Sequence, residues 1–398
     1  MARFFQHPGF DFETRIALGA VAYRCAEAGE VLATADTVKD GDFDSWFDAW
    51  TATAERVAAI AAGAEAAGHK ASALEAWLRA SKYHGMAFFF VLGTRDPSRG
   101  PASWRAHRTA FDRAIALWPT PARKVAIPYE GGALKGYWLD PAAAPGPRPL
   151  AILNNGSDGT ATDMLVAGGV AALERGWSAL IFDGPGQGAA LYEDKLHFRP
   201  DWEAVISPVL DFALADPGVD PARVALLGVS QAGYWVPRAA AFEPRLAAIV
   251  ADPGVTRVWA SWYANLPPEM VGFLDKGDRA SFDAWMAEGA RETPPALAFE
   301  IAKRSEPYGI ADVFDLFTAV RGYDLAGVAD RIRCPVLIAS PDDEQFWPGQ
   351  GEELLAMLTC PKTLVPFTTA EGGAGHCEPL APTLRNQRVF DWLAATLG

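Results

Sequence analysis

The sequence predicts an α/β protein in which a mostly parallel sheet, covered by helices on both faces, follows an all-helical N-terminal domain. Three observations lead to this fold class. Short apolar runs alternate with helical patterns after residue 120, which is typical of buried parallel strands. Residues 1–120 show helical patterns alone. Residues 255–328 show no convincing strand, so they predict a helical cap between a first part of the core, 121–254, and a second part, 329–398.

The N-terminal helices are predicted from the spacing of apolar residues. Four aromatic residues occupy positions i, i+3, i+4 and i+7 of one helical face: Phe43, Trp46, Phe47 and Trp50. Such a stripe indicates core packing between helices. Asp42 precedes the stripe and is placed to cap its helix. Gly68 separates two alanine-rich helical stretches, and a third helix is predicted over 103–117.

The strands are predicted from short apolar runs after Pro119-Thr120-Pro121. The first two flank Glu130-Gly131-Gly132 and so indicate a hairpin. Eight runs are assigned: 125–129, 133–139, 150–153, 179–182, 224–229, 247–250, 336–339 and 363–367. Ligands of mostly parallel sheets bind at the carboxyl ends of the strands, so residues just after these runs are the candidates for chemistry.

Composition and charge exclude several classes of protein. The chain has 398 residues, of which 50% are hydrophobic and 21% charged, so it is neither intrinsically disordered nor collagen-like. The net charge of −14 repels phosphate groups, and therefore we expect neither nucleic acid nor an anionic membrane as a partner. Four scattered cysteines form no C-x-x-C pair, which indicates reduced thiols. No signal peptide or membrane span is recognised, so we expect a cytoplasmic protein.

The strongest chemical signal is a serine that follows an apolar strand. The run 224–229 leads into Gly228-Val229-Ser230-Gln231-Ala232-Gly233, and a helical pattern follows. A nucleophile elbow requires this strand–turn–helix context, with small residues beside the serine. Gly228 and Ala232 are small, although the usual second glycine stands one position later, at Gly233. The alternative is an ordinary strand-to-helix loop, which this context disfavours.

A serine nucleophile needs a base and an orienting carboxylate. Of the six histidines, His376 alone follows the last strand, in a glycine-rich loop before the terminal helix. The strand 336–339 ends in Ser340-Pro341-Asp342-Asp343-Glu344. Asp343 is favoured as the carboxylate because it stands three residues after the small Ser340. Asp342 competes for the role, and Glu344 is assigned to helix capping or to solvent.

The oxyanion hole needs two backbone N–H groups aimed at the developing charge. One is expected from Gln231, directly after the nucleophile. The other is expected from the loop 154–160, where we choose the N–H of Ser157. A plain glycine-rich turn is the alternative interpretation of that loop.

A resemblance to a known family emerges from these motifs together. The string Phe182-Asp-Gly-Pro-Gly-Gln-Gly188, the helical N-terminal domain and the Gly-x-x-His-Cys stretch ending at Cys377 resemble one branch of the α/β-hydrolase superfamily. That branch contains 2,6-dihydroxypseudooxynicotine hydrolase and fungal polyketide-shortening hydrolases. The order Ser230, Asp343, His376 matches the nucleophile–acid–base order of these enzymes.

The resemblance implies an α/β-hydrolase fold and a serine hydrolase that needs no cofactor or metal. Some members of the branch cleave a carbon–carbon bond next to a ketone, and others are esterases. Two departures stand out: 154–156 reads Asn-Asn-Gly where Gly-Gly or His-Gly is usual, and 255–263 contains no glutamate that might assist ketone cleavage.

The expected activity is hydrolysis of an ester or of a β-keto carbonyl in a bulky, aromatic or polyketide-like small molecule. The cap and the N-terminal domain are expected to enclose the site, with Trp259, Trp262 or Tyr263 in its wall. The alternative is an acyltransferase or cyclase, in which a substrate hydroxyl replaces water. A non-catalytic binding protein and a peptidase are less consistent with the motifs. The sequence does not identify the substrate, and it is compatible with a homodimer.

Overall fold

A computed structural model of the chain describes residues 3–142, 146–264, 266–289 and 295–398. The predicted N-terminal domain, first part of the core and cap therefore each include a few residues outside this description. These are residues 1–2, 143–145, 265 and 290–294. No helix in the described ranges is both long enough and apolar enough to cross a membrane.

Eight strands form one sheet in the order β1-β2-β4-β3-β5-β6-β7-β8. Their bounds are β1 Ala122–Tyr129, β2 Gly132–Leu139, β3 Arg148–Asn154, β4 Ser178–Phe182, β5 Val219–Val229, β6 Ala248–Asp252, β7 Val336–Pro341 and β8 Lys362–Phe367. The pairs β1–β2 and β2–β4 are antiparallel, and every other neighbouring pair is parallel. Each predicted run overlaps one strand, and the predicted mostly parallel sheet is confirmed.

Five α-helices precede the sheet: α1 Pro8–Gly19, α2 Ala28–Ala35, α3 Phe43–Ala66, α4 Lys70–Phe89 and α5 Gly100–Ala116. The aromatic stripe lies on α3 and is buried at all four positions. The Asp42 carboxylate accepts a hydrogen bond from the Ser45 N–H and so caps this helix. Gly68, with φ of +78°, follows the end of α3, as expected of a residue that stops a helix.

The remaining helices cover the sheet or form the insertion. Those of the core are α6 Ala161–Met164, α7 Val170–Glu174, α8 Gly188–Tyr192, α9 Glu203–Leu214, α10 Ala232–Ala240, α16 Gln350–Met357 and α17 Pro382–Leu397. Those between β6 and β7 are α11 Trp259–Tyr263, α12 Pro268–Lys276, α13 Arg279–Gly289, α14 Pro295–Tyr308 and α15 Val313–Val320. The described part of this insertion holds an isolated bridge but no strand.

Two apolar clusters lie on opposite faces of the sheet. Successive residues of β3 alternate between them, because side chains alternate along a strand: Leu153 belongs to the first cluster and Ile152 to the second. The first cluster also contains the buried aromatic residues of α3 and the apolar face of α17. The second contains α9, α10 and much of the cap. The N-terminal helices therefore share one core with the sheet.

Candidate active site

Ser230 occupies the sharp turn between β5 and α10. Its φ is +58°, a left-handed conformation that non-glycine residues rarely adopt and that is typical of strained functional turns. The Ser230 N–H donates to the backbone oxygen of Asp252 at the end of β6, at 2.6 Å. A Cβ on Gly228 would lie 2.7 Å from the Ala232 oxygen, so only glycine fits there. The turn thus has the geometry of a nucleophile elbow.

The second glycine of the motif stands one position later than usual, at Gly233, and the structure gives a reason for this. A Cβ at position 233 would lie 1.9 Å from the backbone oxygen of Pro253. Helix α10 therefore packs directly on the loop after β6, and this contact requires a glycine on the helix. Ala232, in the position where the motif usually has glycine, is fully buried and carries its methyl group in the core.

His376 lies in the loop between β8 and α17 and is 5% exposed. Its Nδ1 is 3.0 Å and 2.9 Å from the two carboxylate oxygens of Glu344. The neighbouring Cys377 Sγ accepts a second hydrogen bond from the Ser230 N–H, at 3.2 Å. The histidine loop and the serine turn are therefore in direct contact, as a Ser–His pair requires.

Glu344, and not Asp343, contacts His376, so the expectation for Asp343 is wrong. Strand β7 extends through Pro341, and the Asp342 N–H still donates to the backbone oxygen of Phe367, the last residue of β8. The chain turns only at Asp343, which has φ of +56° and is exposed. The next residue is therefore the one that points toward the histidine. Asp342 binds the Thr369 N–H and hydroxyl instead.

The Glu344 carboxylate is held ionised by its surroundings. Burial favours the neutral acid, but the His376 ring and the backbone N–H groups of Phe346 and Trp347 outweigh burial, so the pKa of Glu344 is lowered. The same two N–H groups donate to its Oε1 at 2.9 Å and 3.1 Å. An ionised carboxylate here fixes the proton of the imidazole on Nδ1 and leaves Nε2 as the basic nitrogen.

His376 Nε2 is buried and has no hydrogen-bond partner in the described part of the chain. Catalytic hydrogen bonds commonly tighten only in the substrate complex. Three aromatic rings surround the imidazole, those of Phe12, Phe346 and Trp347, with ring centroids 6.2, 4.7 and 5.6 Å away. Sequence reasoning missed all three, and Phe12 belongs to α1, far from His376 in the chain.

The loop 154–160 passes directly beside Ser230. A Cβ on Gly156 would lie 2.7 Å from the Ser230 Cβ and 3.2 Å from its Oγ. The Gly156 N–H donates to the side-chain oxygen of Asn155, at 2.8 Å. The N–H groups of Ser157 and Gln231, the two chosen from sequence, donate no hydrogen bond within the described ranges. They remain the candidates for an oxyanion hole.

Two buried carboxyl groups lie behind the histidine loop. Asp252 and Glu378 face each other, and no other described group donates a hydrogen bond to their oxygens. Burial raises the pKa of both groups, and the adjacent Asp252 carboxylate raises that of Glu378 further, well above its ordinary range. Arg385 Nη1 lies 3.7 Å from Asp252 Oδ2. The pair therefore joins the histidine loop to the end of β6.

The three aromatic residues predicted for the pocket pack within the cap. Trp259 Nε1 donates to Asp324, at 3.4 Å, and Tyr263 donates its hydroxyl proton to the Phe317 oxygen, at 3.1 Å. The Trp262 ring lies 5.4 Å from that of Tyr308, whose hydroxyl accepts from the Gln231 side chain. Of the three, Trp262 is the one linked to the serine turn, and their place in the pocket wall stays a prediction.

The cap and the N-terminal helices meet next to the serine turn. Lys303 of α14 forms an ion pair with Asp158 of the loop 154–160, at 2.8 Å, and its ammonium lies 3.2 Å from the ring centroid of Phe89. The Phe299 ring packs on Phe43, with centroids 5.0 Å apart. The cap therefore contacts both the N-terminal helices and the loop 154–160, of which Gly156 lies beside Ser230. Among the described residues, no group of three or more His, Cys, Asp or Glu is arranged to hold a metal ion.

Comparison with known proteins gives full-length similarity to fungal hydrolases. The chain is 34% identical to hydrolase LUC6 of a Fusarium species over 414 aligned positions, covering 100% of this chain and 99% of the relative. It is 31% identical to 20-hydroxy-prefusarin hydrolase FUS2 of Gibberella moniliformis, with the same coverage. The solved structure of 2,6-dihydroxy-pseudo-oxynicotine hydrolase superposes with a TM-score of 0.76 at 21% identity, covering 95% of both chains. No protein-family model matches the chain.

Proposed function

This chain belongs to the α/β-hydrolase family, and we propose that it is a serine hydrolase that needs no cofactor. The nucleophile is Ser230, the base is His376 and the orienting carboxylate is Glu344. The observation that carries this proposal is the buried Glu344–His376 contact beside a serine held at φ +58°. Neither a structural histidine nor an ordinary turn needs that combination.

In the proposed acylation step, Ser230 Oγ attacks the substrate carbonyl carbon while His376 Nε2 accepts the hydroxyl proton. Glu344 stabilises the imidazolium that forms. The N–H groups of Gln231 and Ser157 donate to the carbonyl oxygen as it becomes negative. The tetrahedral intermediate then expels the leaving group, and the imidazolium returns its proton to the leaving oxygen or carbon. An acyl-enzyme remains on Ser230.

In the deacylation step, water attacks the acyl carbon and transfers a proton to His376. The bond to Ser230 Oγ breaks, and the imidazolium reprotonates the serine. The products are a carboxylic acid and either an alcohol, from an ester, or a ketone, from a carbon–carbon bond next to a ketone. Expulsion of carbon requires a stabilised enolate that His376 can protonate as it leaves.

The proposed substrate is a bulky, aromatic or polyketide-like small molecule. Support comes from the aromatic rings around His376 and from the packing of the cap against the N-terminal helices. We expect this packing to limit the access of water, which would strengthen the oxyanion hole. Ester cleavage and carbon–carbon cleavage use the same residues. The start of the cap, 255–263, has no glutamate that could assist carbon–carbon cleavage. The test of substrate class therefore includes both reactions.

The first test is covalent labelling with a fluorophosphonate probe, followed by mass spectrometry. One label on Ser230 is expected, and Ser230→Ala should abolish it. Ser98→Ala is the control, because it removes an exposed hydroxyl that bonds to the Asp96 side chain, outside the site, so labelling should persist. Labelling of Ser230→Ala would contradict the proposal.

The second test offers aryl esters and 1,3-diketones in ¹⁸O-labelled water. Hydrolysis places ¹⁸O in the acid product, and the cleaved substrate class identifies the bond. Transfer of the acyl group to a hydroxyl of the substrate, with no ¹⁸O incorporated, would support an acyltransferase or cyclase in place of a hydrolase.

A further inference from the structure

Gln187 is the glutamine of the Gly-Pro-Gly-Gln-Gly stretch that follows β4, and it takes no part in the steps above. Its side chain is 3% exposed. The amide nitrogen donates to the backbone oxygens of Asn155 and Gly156, at 2.7 and 2.8 Å, and the amide oxygen accepts from the Gly184 N–H at 3.0 Å. These partners fix the orientation of the amide, because only its nitrogen can donate to two carbonyl groups.

The two carbonyl groups differ in what else they bind. The Asn155 oxygen also accepts from the side chain of Asn154, at 2.9 Å. The Gly156 oxygen accepts from Gln187 alone, within the ranges that the structure describes. The direction of the Gly156 carbonyl is therefore set by Gln187.

That carbonyl and the N–H of Ser157 belong to the same peptide unit. A trans peptide is planar, and its C=O and N–H point in opposite directions. The hydrogen bond to Gln187 therefore turns the Ser157 N–H away from Gln187. Gly156 itself lies against Ser230, and its own N–H is occupied by Asn155. Ser157, the next residue, donates no hydrogen bond from its backbone in the described ranges, so its N–H can face the reacting carbonyl.

We propose that Gln187 is a positioning residue that sets the second N–H of the oxyanion hole by holding the 156–157 peptide. This role rests on the proposed serine hydrolase function. Without Gln187, the Gly156 oxygen would be buried with no donor, and a peptide that follows a glycine rotates readily. The carbonyl would then replace the N–H at the site, where a negative charge develops.

The test compares Gln187→Met with Gln350→Met. Gln350 is a matched control, since it is 5% exposed and its amide oxygen accepts from the N–H groups of Thr256 and Arg257, at 2.8 and 3.0 Å, outside the loop 154–160. We expect Gln187→Met to lower kcat on an aryl ester by about 10²- to 10³-fold with little change in KM. Gln350→Met should leave kcat within about 3-fold, although it lowers stability.

An inhibitor gives a readout that a merely structural role would not move. A trifluoromethyl ketone forms a tetrahedral oxyanion on the serine, so its Ki should rise by the same factor as kcat/KM falls in Gln187→Met. Gln187→Glu is the conservative variant. When protonated it donates to the Gly156 oxygen, so its kcat relative to the wild type should rise as the pH falls, and this variant also serves if Gln187→Met does not fold.

The outcomes separate the two proposals. A wild-type protein that no fluorophosphonate labels overturns the hydrolase function and this role with it. A labelled wild type together with Gln187→Met that keeps its kcat, or loses only what Gln350→Met loses, overturns the role of Gln187 alone. A pH profile of Gln187→Glu that runs parallel to that of the wild type would also overturn the role of Gln187 alone.

Discussion

Replacement of Gly156 by alanine tests the contact between the loop 154–160 and Ser230, the proposed nucleophile. The new Cβ would lie 2.7 Å from the Ser230 Cβ and 3.0 Å from the backbone oxygen of Val229. Two carbon atoms pack best at about 3.5 Å or more, so the loop has to retreat by about 0.8 Å. Neither contact atom is the end of a flexible side chain, and therefore the loop moves and not its neighbours.

A retreat of that size removes a hydrogen bond from the proposed oxyanion hole. Donors act at about 2.7–3.1 Å from the oxyanion, so the Ser157 N–H would fall outside this range. Loss of one donor lowers kcat by about 10²- to 10³-fold, equivalent to roughly 2.7–4 kcal/mol. Overpacking should also lower the free energy of unfolding by about 1–3 kcal/mol.

The assay is kcat on an aryl ester, with unfolding by urea measured in parallel. Gly63→Ala is the control, because a Cβ on Gly63, within α3, meets no atom within 4 Å. It should stabilise the protein by about 0.5–1 kcal/mol and leave kcat unchanged. A Gly156→Ala protein with kcat within about 3-fold of the wild type would refute the reasoning.

Two further predictions concern carboxyl groups. Glu344→Gln should lower kcat by about 10⁴-fold, because the imidazole loses its orienting charge. Asp343 is exposed, so Asp343→Asn should change kcat by less than about 3-fold. The reverse ranking in steady-state kinetics would assign the orienting role to Asp343. Burial raises the pKa of Glu13 to about 8, against the pull of Lys82 and Lys303. The folded protein therefore retains a proton that the unfolded chain releases, and stability falls as the pH rises from about 4.5 to 8, by on the order of 4 kcal/mol for this group. Urea unfolding at several pH values should show that the stability of Glu13→Gln lacks this fall. Stability–pH curves that run parallel for Glu13→Gln and the wild type would contradict this role of Glu13.

The features that local sequence determines could be predicted. Ser230 is recognised because the small residues required by a tight turn are its immediate neighbours in the chain. The central strands are recognised because both faces of the sheet are covered there, which makes their runs apolar throughout. β4 and β6, for example, are buried at every position. The same reasoning located His376, which follows the last such strand.

The features that depend on distant contacts could not be predicted. The choice between Asp343 and Glu344 depends on where β7 ends, and this is set by its pairing with β8, whose residues lie more than 20 positions away. The contact between Gln187 and Gly156 joins residues 31 positions apart. Composition and spacing along the chain carry no information on where β7 ends or on the contact between Gln187 and Gly156. The glycine-rich string containing Gln187 indicated a family but not the reason for its glutamine.

The core that the N-terminal helices share with the sheet determines how the protein can be altered. Arg108 of α5 forms an ion pair with Asp183 at 2.6 Å, and Asp183 lies in the loop that carries Gln187. A fragment without these helices would expose one apolar face of the sheet to water and leave a buried carboxylate without its cation. Exchange of the N-terminal helices between relatives would therefore change the side chains that pack on one face of the sheet. A chimera would need the partner face of the sheet transplanted together with the helices that cover it.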